Sequence, residues 1–308
     1  MFKYSIVIPV YNGDKYIDDI VSFFMSFNSI QLVFVNDGST DFSIDKLNKF
    51  KEEEWIKVIS QNNRGVSVAR NLGLHHSDGE FILFLDCDDK YDEKIFDELN
   101  KRNLSDVNVF EFERNNIDGT HDSFTLPNVG IINSRNALLL FFFKKIRIHI
   151  CAVCFRKKFL VDNKIKFKSG FKFGEDLNFI INAILSSEDV LFINESIFKY
   201  IINEQSVTQR KFNYHRFDAL DVLLMEFNKV ELDLGGEGKE AFQMYMLSVY
   251  YKLLCECVKS GSEIYFSDFS KRKNIILSTG LKFFIVKHVP VRIEFFLLKG
   301  YLKLIKFM

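Results

Sequence analysis

The sequence predicts an α/β protein: a Rossmann-like sheet that turns mixed at one edge, followed by a mostly helical carboxyl-terminal region. Three observations predict it. Continuous apolar runs recur at a steady interval through the first hundred residues. Each is followed by a polar cluster and then a helix-compatible stretch, which is the pattern of βαβ units. Beyond residue 107 the strands become shorter and mixed with helices, and beyond Asn213 strand signals vanish.

The first runs are "SIVIPV" from Ser5, "QLVFV" from Gln31, "IKVI" from Ile56 and "FILFL" from Phe81. Strands covered on both faces by crossover helices lose their alternation, so these runs read as buried parallel strands. Polar residues cluster just after each: Asn12 and Gly13, Asn36 to Asp41, Gln61 to Arg64, and Asp86 to Asp89. Ligands of open α/β sheets bind at that edge. Next come the expected strands "VNVFEF", "HICAVCF", "VLFI" and "IFKYII", with helices over 134–144 and 176–186. Helices are expected over 213–232, 237–259 and 267–279, the first two punctuated by Gly235-Gly236-Glu237-Gly238. This organisation gives two domains, 1–212 and 213–308.

Length and composition remove several classes. A chain of 308 residues with 47% apolar and 27% charged residues is long enough for a large core and too apolar for disorder. Its 41 basic and 41 acidic residues cancel, so no global charge argues for nucleic acid, and none is expected as a partner. The charge is polarised instead: 10 basic against 18 acidic residues in 1–100, and 9 basic against Glu294 alone in 271–308. The five cysteines lack the spacing of a zinc site, which suits reduced thiols in a cytosolic protein. No signal peptide is visible, and the longest uncharged run, 20–36, is interrupted by polar residues, so no membrane span is expected.

No G-x-G-x-x-G follows the first strand and no G-x-x-x-x-G-K-[ST] occurs, which disfavours dehydrogenases and P-loop nucleotidases. Asp86, Asp88 and Asp89 directly follow an apolar strand. Carboxylates held so close repel one another unless a cation or protons intervene, and hard oxygen donors favour Mg²⁺ or Mn²⁺. A solvated turn that caps the next helix is the equal alternative. In "VNDGSTD", Asp37 is placed to accept from a nucleobase N–H or a ribose hydroxyl, and the same cluster suits a helix N-cap.

Taken in order, "SIVIPVYNGDKYI", "LVFVNDGSTDFS", "NNRGVSVARNLGL", "GEFILFLDCDD" and "GEDLNF" resemble the family-2 glycosyltransferases of the GT-A fold, over residues 4–210. The resemblance implies that Pro9, Val10, Tyr11 and Asn12 border the nucleotide base, with Asp37 beside base or ribose. It implies that Gly65, Arg70 and Asn71 line the nucleotide and donor. Asp86 then faces ribose or donor sugar, Asp88 binds the metal on the diphosphate, and Cys87 and Asp89 complete the nucleotide-sugar group. In "GED", Asp176 resembles the catalytic base, with Glu175 contacting hydroxyls. A helix start favoured by the macrodipole is the plain reading of that pair, and it does not exclude catalysis. In "KYIINEQSVTQR" a basic residue often found after the tyrosine is replaced by Ile201, so Lys199 or Arg210 is the substitute candidate. Histidines 75, 76, 121, 149, 215 and 288 show no metal spacing among themselves.

The implied activity is inverting transfer of a sugar from a nucleotide-sugar, UDP-linked by resemblance, to a glycan or polyprenol-diphosphate-linked acceptor of a surface polysaccharide such as capsule or O-antigen. A divalent cation stabilises the leaving diphosphate and a carboxylate takes the acceptor proton. A nucleotidyltransferase or phosphatase would need phosphate-gripping basic residues near the first strand, and they are missing. A noncatalytic family member acting as a membrane or partner scaffold is the alternative; such a protein is expected to lose the acids at 86–89 or 175–176, which are intact here. After Pro290, Arg292, Lys299, Lys303 and Lys306 fall within about 60° of arc on an otherwise apolar helix. That pattern suits either an anionic membrane surface or packing on a protein face. The expected location is cytoplasmic, at the inner face of the cell membrane where the tail makes that contact.

Overall fold

In the computed structural model, which describes residues 2–202 and 211–279, the first apolar run becomes β1 (Tyr4–Val10). It lies between β2 (Ile30–Asp37) and β4 (Phe81–Phe84), parallel to both, and β3 (Ile56–Gln61) pairs in parallel on the far side of β2. Every residue of β2 is buried, as an unbroken apolar run between two helical layers requires. Helices α1 (Asp14–Phe24), α2 (Ser43–Asn48) and α3 (Val66–His76) make the returns. α1 buries Ile17, Ile20, Val21 and Phe24, the i, i+3, i+4, i+7 face of an amphipathic helix. In α3, a Cβ at Gly73 would stand 2.3 Å from Val7 Cγ1, so the missing side chain sets how closely this helix meets β1.

The remaining elements of the sheet region are β5 (Lys90–Tyr91), α4 (Ile95–Asn100), β6 (Val107–Asn115), β7 (His121–Phe124), β8 (Ile131–Asn133), α5 (Ser134–Phe142), β9 (Val153–Arg156), α6 (Lys157–Asp162), α7 (Glu175–Ser186) and β10 (Asp189–Ile201). Among the described residues the sheet has ten strands in the order β3-β2-β1-β4-β9-β6-β10-β5, with β7 on β6 and β8 on β10. β9 runs antiparallel to β4 and β6, which makes the sheet mixed on that side, as expected. Two local expectations change. Only the second half of "HICAVCF" is strand, because Ile150–Ala152 forms a 3-10 turn first. "VLFI" and "IFKYII" are one strand, β10, whose pairing with β6 shifts register between Ile193 and Phe198. Asn194 turns its side chain there onto Glu111 and the Leu126 carbonyl. Many of the 35 phenylalanines meet ring to ring in the core: Phe84 packs edge-on against Phe155, Phe167 and Phe179, and Phe167 stacks on Phe179 at 4.2 Å.

The chain divides into two compact units. One holds the described residues of Met1–Phe141, Lys145–Gly170 and Asn178–Glu204; the other holds those of Phe142–Lys144, Phe171–Leu177 and Gln205–Met308. In the second unit, a 3-10 turn over Tyr214–Phe217 leads into α8 (Asp218–Ser260) and α9 (Phe266–Ser278). α8 is broken at Gly235 (φ 65°, ψ −160°), inside the glycine run expected to punctuate it. Phe217, Leu220, Tyr250, Leu254, Phe269 and Ile276 form the core of this unit. Arg272 makes a bidentate pair with Asp221 at 2.8 and 2.6 Å. Among the described residues no helix is long and apolar enough to cross a membrane. The basic stripe of Arg292, Lys299, Lys303 and Lys306 lies outside the described residues, as does Arg210.

Candidate active site

The carboxyl ends of β1 and β2 are laced together by short polar side chains. Asn12, in the left-handed region at φ 53°, accepts the Thr40 N–H at 2.8 Å, and its own N–H donates to Ser39 Oγ at 3.1 Å. The Gly13 N–H donates to Ser43 Oγ at 3.0 Å. Pro9 is half-buried, Val10 fully buried, and Tyr11 is left 52% exposed at the strand end. This is the strand-end surface that the family resemblance implies beside the nucleotide base.

Asp37 ends β2 buried, and its carboxylate is already engaged by the chain itself. Oδ1 accepts from Gln61 Nε2 at 2.7 Å and from the Arg64 N–H at 2.8 Å, and Oδ2 accepts from the Gly65 N–H at 2.8 Å. It therefore ties down the turn that opens α3, at Gly65 with φ 91°. Gly38 beside it has φ 70°, and a Cβ there would stand 2.6 Å from the Asn63 backbone nitrogen. Only glycine satisfies both the conformation and the contact. Asn71 is equally occupied: its side chain accepts the Phe167 N–H at 2.9 Å and donates to the Phe167 carbonyl at 2.8 Å. These partners lie 24 to 96 residues away, which sequence reading did not foresee.

The Asp86–Asp89 run follows β4. Arg70, buried on α3, donates to Asp86 Oδ1 at 2.6 Å and lies over the Phe167 ring at 5.2 Å. Burial pushes the Asp86 carboxyl up, but the Arg70 charge and hydrogen bond, aided by His149, outweigh it and hold the acid below its usual range. Asp89 has the opposite environment. Its Oδ1 accepts the Ile201 N–H at 2.8 Å, while buried Oδ2 has no hydrogen-bond partner among the described residues. Burial, reinforced by the Asp86 charge, raises this carboxyl well above its usual range. Asp88 is half-buried. Cys87 is held close to the β1 loop, where a Cβ on Gly13 would stand 3.1 Å from its sulfur.

Ligand atoms of Asp86, Asp89 and Cys151 lie within 4.8 Å of one another. Burial and the two carboxylates raise the Cys151 thiol well above its usual value, so the sulfur keeps its proton. A protonated thiol and an Arg-paired carboxylate are a poor donor set for a hard cation. Asp88, half-buried in the same run, carries hard oxygen donors of the kind that Mg²⁺ or Mn²⁺ takes.

His149, Cys151 and Phe167 are the residues around Asp86 that sequence reading missed. His149 is stacked on Phe198 and Tyr200, each at 5.0 Å, and its Nδ1 accepts the Cys151 N–H. No periodicity or spacing marks it; rings on β6 and β10, Phe112 among them, meet it only in the fold. Lys199, the candidate for a lost basic contact, is paired with Asp92 at 3.4 Å.

Glu175 and Asp176 begin α7, where acidic residues are favoured by the positive end of the helix dipole. Glu175 is buried and Asp176 is half-buried, its Oδ1 accepting the Leu177 N–H at 2.8 Å. Both belong to the second unit. There His215 lies 3.7 Å from Asp218.

Comparison with known proteins agrees with this architecture. The family model described as Glycosyl transferase family 2 matches residues 5–160, just over half the chain. A Staphylococcus aureus protein, poly(ribitol-phosphate) beta-N-acetylglucosaminyltransferase TarS, is 27% identical over 212 residues, 65% of this chain and 35% of that protein. The poly(ribitol-phosphate) beta-glucosyltransferase of Bacillus spizizenii is 30% identical over 213 residues, 65% of this chain and 32% of that one. The chain thus spans about a third of the length of these relatives. The crystal structure of S. aureus TarS 1–349 in complex with UDP-GlcNAc superposes with a TM-score of 0.66 at 19% identity, covering 89% of this chain and 83% of that one. That likeness establishes a shared GT-A-type fold.

Proposed function

The chain belongs to glycosyl transferase family 2, and from that membership we propose that it transfers a sugar from a UDP-linked donor to a hydroxyl of a surface polysaccharide. The acceptor class we propose is a teichoic-acid-type or polyprenol-diphosphate-linked glycan, because the relatives' names place them on poly(ribitol-phosphate). The observation that carries the reading is the gathering of Asn12, Asp37, Arg70 and Asp86–Asp89 at the carboxyl ends of β1, β2 and β4. That edge is where an open α/β sheet binds ligand.

In this reading Pro9, Val10, Tyr11 and Asn12 border the base. Asp37 acts there by fixing the Arg64–Gly65 turn, with any direct contact to base or ribose made by lone pairs its present partners leave over. Arg70 keeps Asp86 ionised to accept from ribose or sugar hydroxyls, and Cys87 and Asp89 complete the nucleotide-sugar group. Asp88 would hold a Mg²⁺ or Mn²⁺, which when bound neutralises charge on the leaving diphosphate. Asp176 takes the proton of the acceptor hydroxyl as it attacks the anomeric carbon, with Glu175 orienting that hydroxyl. One base and no covalent intermediate give inversion. The sheet region, 1–212, supplies the donor site, and the helical region, 213–308, with its basic tail, gives contact with an anionic membrane surface.

The test is a binding and hydrolysis screen against UDP-, GDP-, CMP- and dTDP-sugars with Mn²⁺, Mg²⁺ or EDTA. A UDP-sugar is expected to bind with metal, Asp88→Ala to lose that binding, and Asp176→Ala to keep binding but lose turnover. Absence of binding by every nucleotide sugar would refute the reading.

A further inference from the structure

The three residues before Glu175 are each held by a residue more than forty positions later. The Lys172 N–H donates to Asp218 Oδ2 at 2.8 Å. The Arg216 guanidinium lies over the Phe173 ring at 4.5 Å. Gly174 has φ +85°, and a Cβ there would stand 2.8 Å from the Cα of Ala219. These contacts are a hydrogen bond to a charged acceptor, a cation–π contact and a close backbone approach, and each depends on a different chemistry.

The other side of the clamp is itself anchored. Asn213 accepts the His215 N–H at 3.1 Å and so fixes the turn over Tyr214–Phe217. Phe217 is fully buried and meets Phe269 at 4.7 Å and Phe212 at 5.6 Å in the core of the helical unit. Arg216 and Asp218 are both buried despite their charge. Residues 172–174 therefore meet the 216–219 turn at three successive positions just before Glu175.

We infer that Arg216, Asp218 and Ala219 form a clamp whose task is to position the Glu175–Asp176 pair, with Asp218 and Arg216 as positioning residues. The inference rests on the reading of Asp176 as the base. A base must lie within hydrogen-bond reach of the proton it takes. A displacement of about 1 Å costs a rate factor on the order of 100. The helical region then contributes to catalysis as well as to any membrane contact, because it holds the loop that carries the base.

The experiment uses the full chain with Asp218→Ala, Asp218→Asn and Asp176→Asn. Three readouts are compared: hydrogen exchange of amides 172–177, UDP affinity by calorimetry, and UDP release from the UDP-sugar the donor screen selects. Asp218→Ala is expected to speed exchange at Lys172, to leave UDP affinity and the donor KM within about twofold, and to lower kcat roughly 10- to 100-fold. Asp218→Asn keeps an acceptor oxygen for the Lys172 N–H and is expected to recover most of that loss. Wild-type kcat in Asp218→Ala, a parallel loss of UDP affinity, or an Asp218→Asn no better than Asp218→Ala would each overturn the clamp. Full turnover in Asp176→Asn would instead overturn the base assignment on which it rests, whatever the Asp218 variants do.

Discussion

Asp89→Asn is expected to stabilise the protein above mildly acidic pH and to leave it unchanged in acid. Asp89 is 3% exposed, with Oδ1 bonded to the Ile201 N–H and Oδ2 without a hydrogen-bond partner among the described residues. Its carboxyl is raised well above the usual range by burial and by Asp86. In the unfolded chain such a group ionises near pH ~3.9. Above that pH the unfolded state has released a proton that the folded state still holds. The stability that protonated Asp89 allows is therefore full below the unfolded value and is lost as pH rises through the folded one. The slope is up to about 1.4 kcal/mol per pH unit for one proton. Asparagine has the same shape, keeps an acceptor for Ile201 and has no proton to lose. Over the 1.5 units from pH 4.5 to 6.0, the advantage of the variant should therefore grow by up to about 2 kcal/mol. At roughly 2–4 °C per kcal/mol for chains of this order, that is a shift in Tm of about 4–8 °C. Thermal unfolding of both proteins in EDTA at the two pH values measures it. An equal difference at both, or a wild type that gains on the variant as pH rises, would mean that Asp89 is ionised in the folded protein, and the reasoning fails.

Gly73→Ala places a methyl 2.3 Å from Val7 Cγ1 and 3.2 Å from Val35 Cγ2. Overpacking there should cost about 1–3 kcal/mol in the denaturant midpoint, with part recovered when Val7→Ala is added. Asp37→Ala removes the acceptor of Gln61, Arg64 and Gly65. Stability should fall by about 2–3 kcal/mol, with UDP affinity falling alongside as the turn before α3 loosens; calorimetry and thermal unfolding read the two, and unchanged UDP binding in a destabilised variant would remove Asp37 from the donor site.

The parallel half of the sheet was legible because its burial is two-sided. The eight buried residues of β2 and the apolar run of β1 announce strands with helices on both faces. β5, β7 and β8 were not legible, since segments of two to four residues carry no period. β7 alternates exposed and half-buried residues at the rim, and β8 is defined by a partner, β10, more than fifty residues later. At the site, residue types were readable and partners were not. The resemblance puts Asp37 and Asn71 beside the nucleotide, and in the fold their polar atoms also hold Arg64–Gly65 and Phe167. Neither pairing has a local pattern, because each depends on where a distant turn or strand is delivered.

Three aspartates within four residues pose a problem of charge that the fold answers differently at each. A run of like charges at one strand end is tolerable only if cations or protons intervene. Asp86 has a fixed cation, the buried Arg70 guanidinium at 2.6 Å, which keeps it ionised despite burial. Asp89, facing the same charge from deeper in the core, has its carboxyl raised well above the usual range instead. Were both ionised, Arg70 and His149 would face two negative charges in place of one. Asp88, half-buried later in the run, is felt by the Lys15 ammonium, so the three carboxylates stand in three different electrostatic settings.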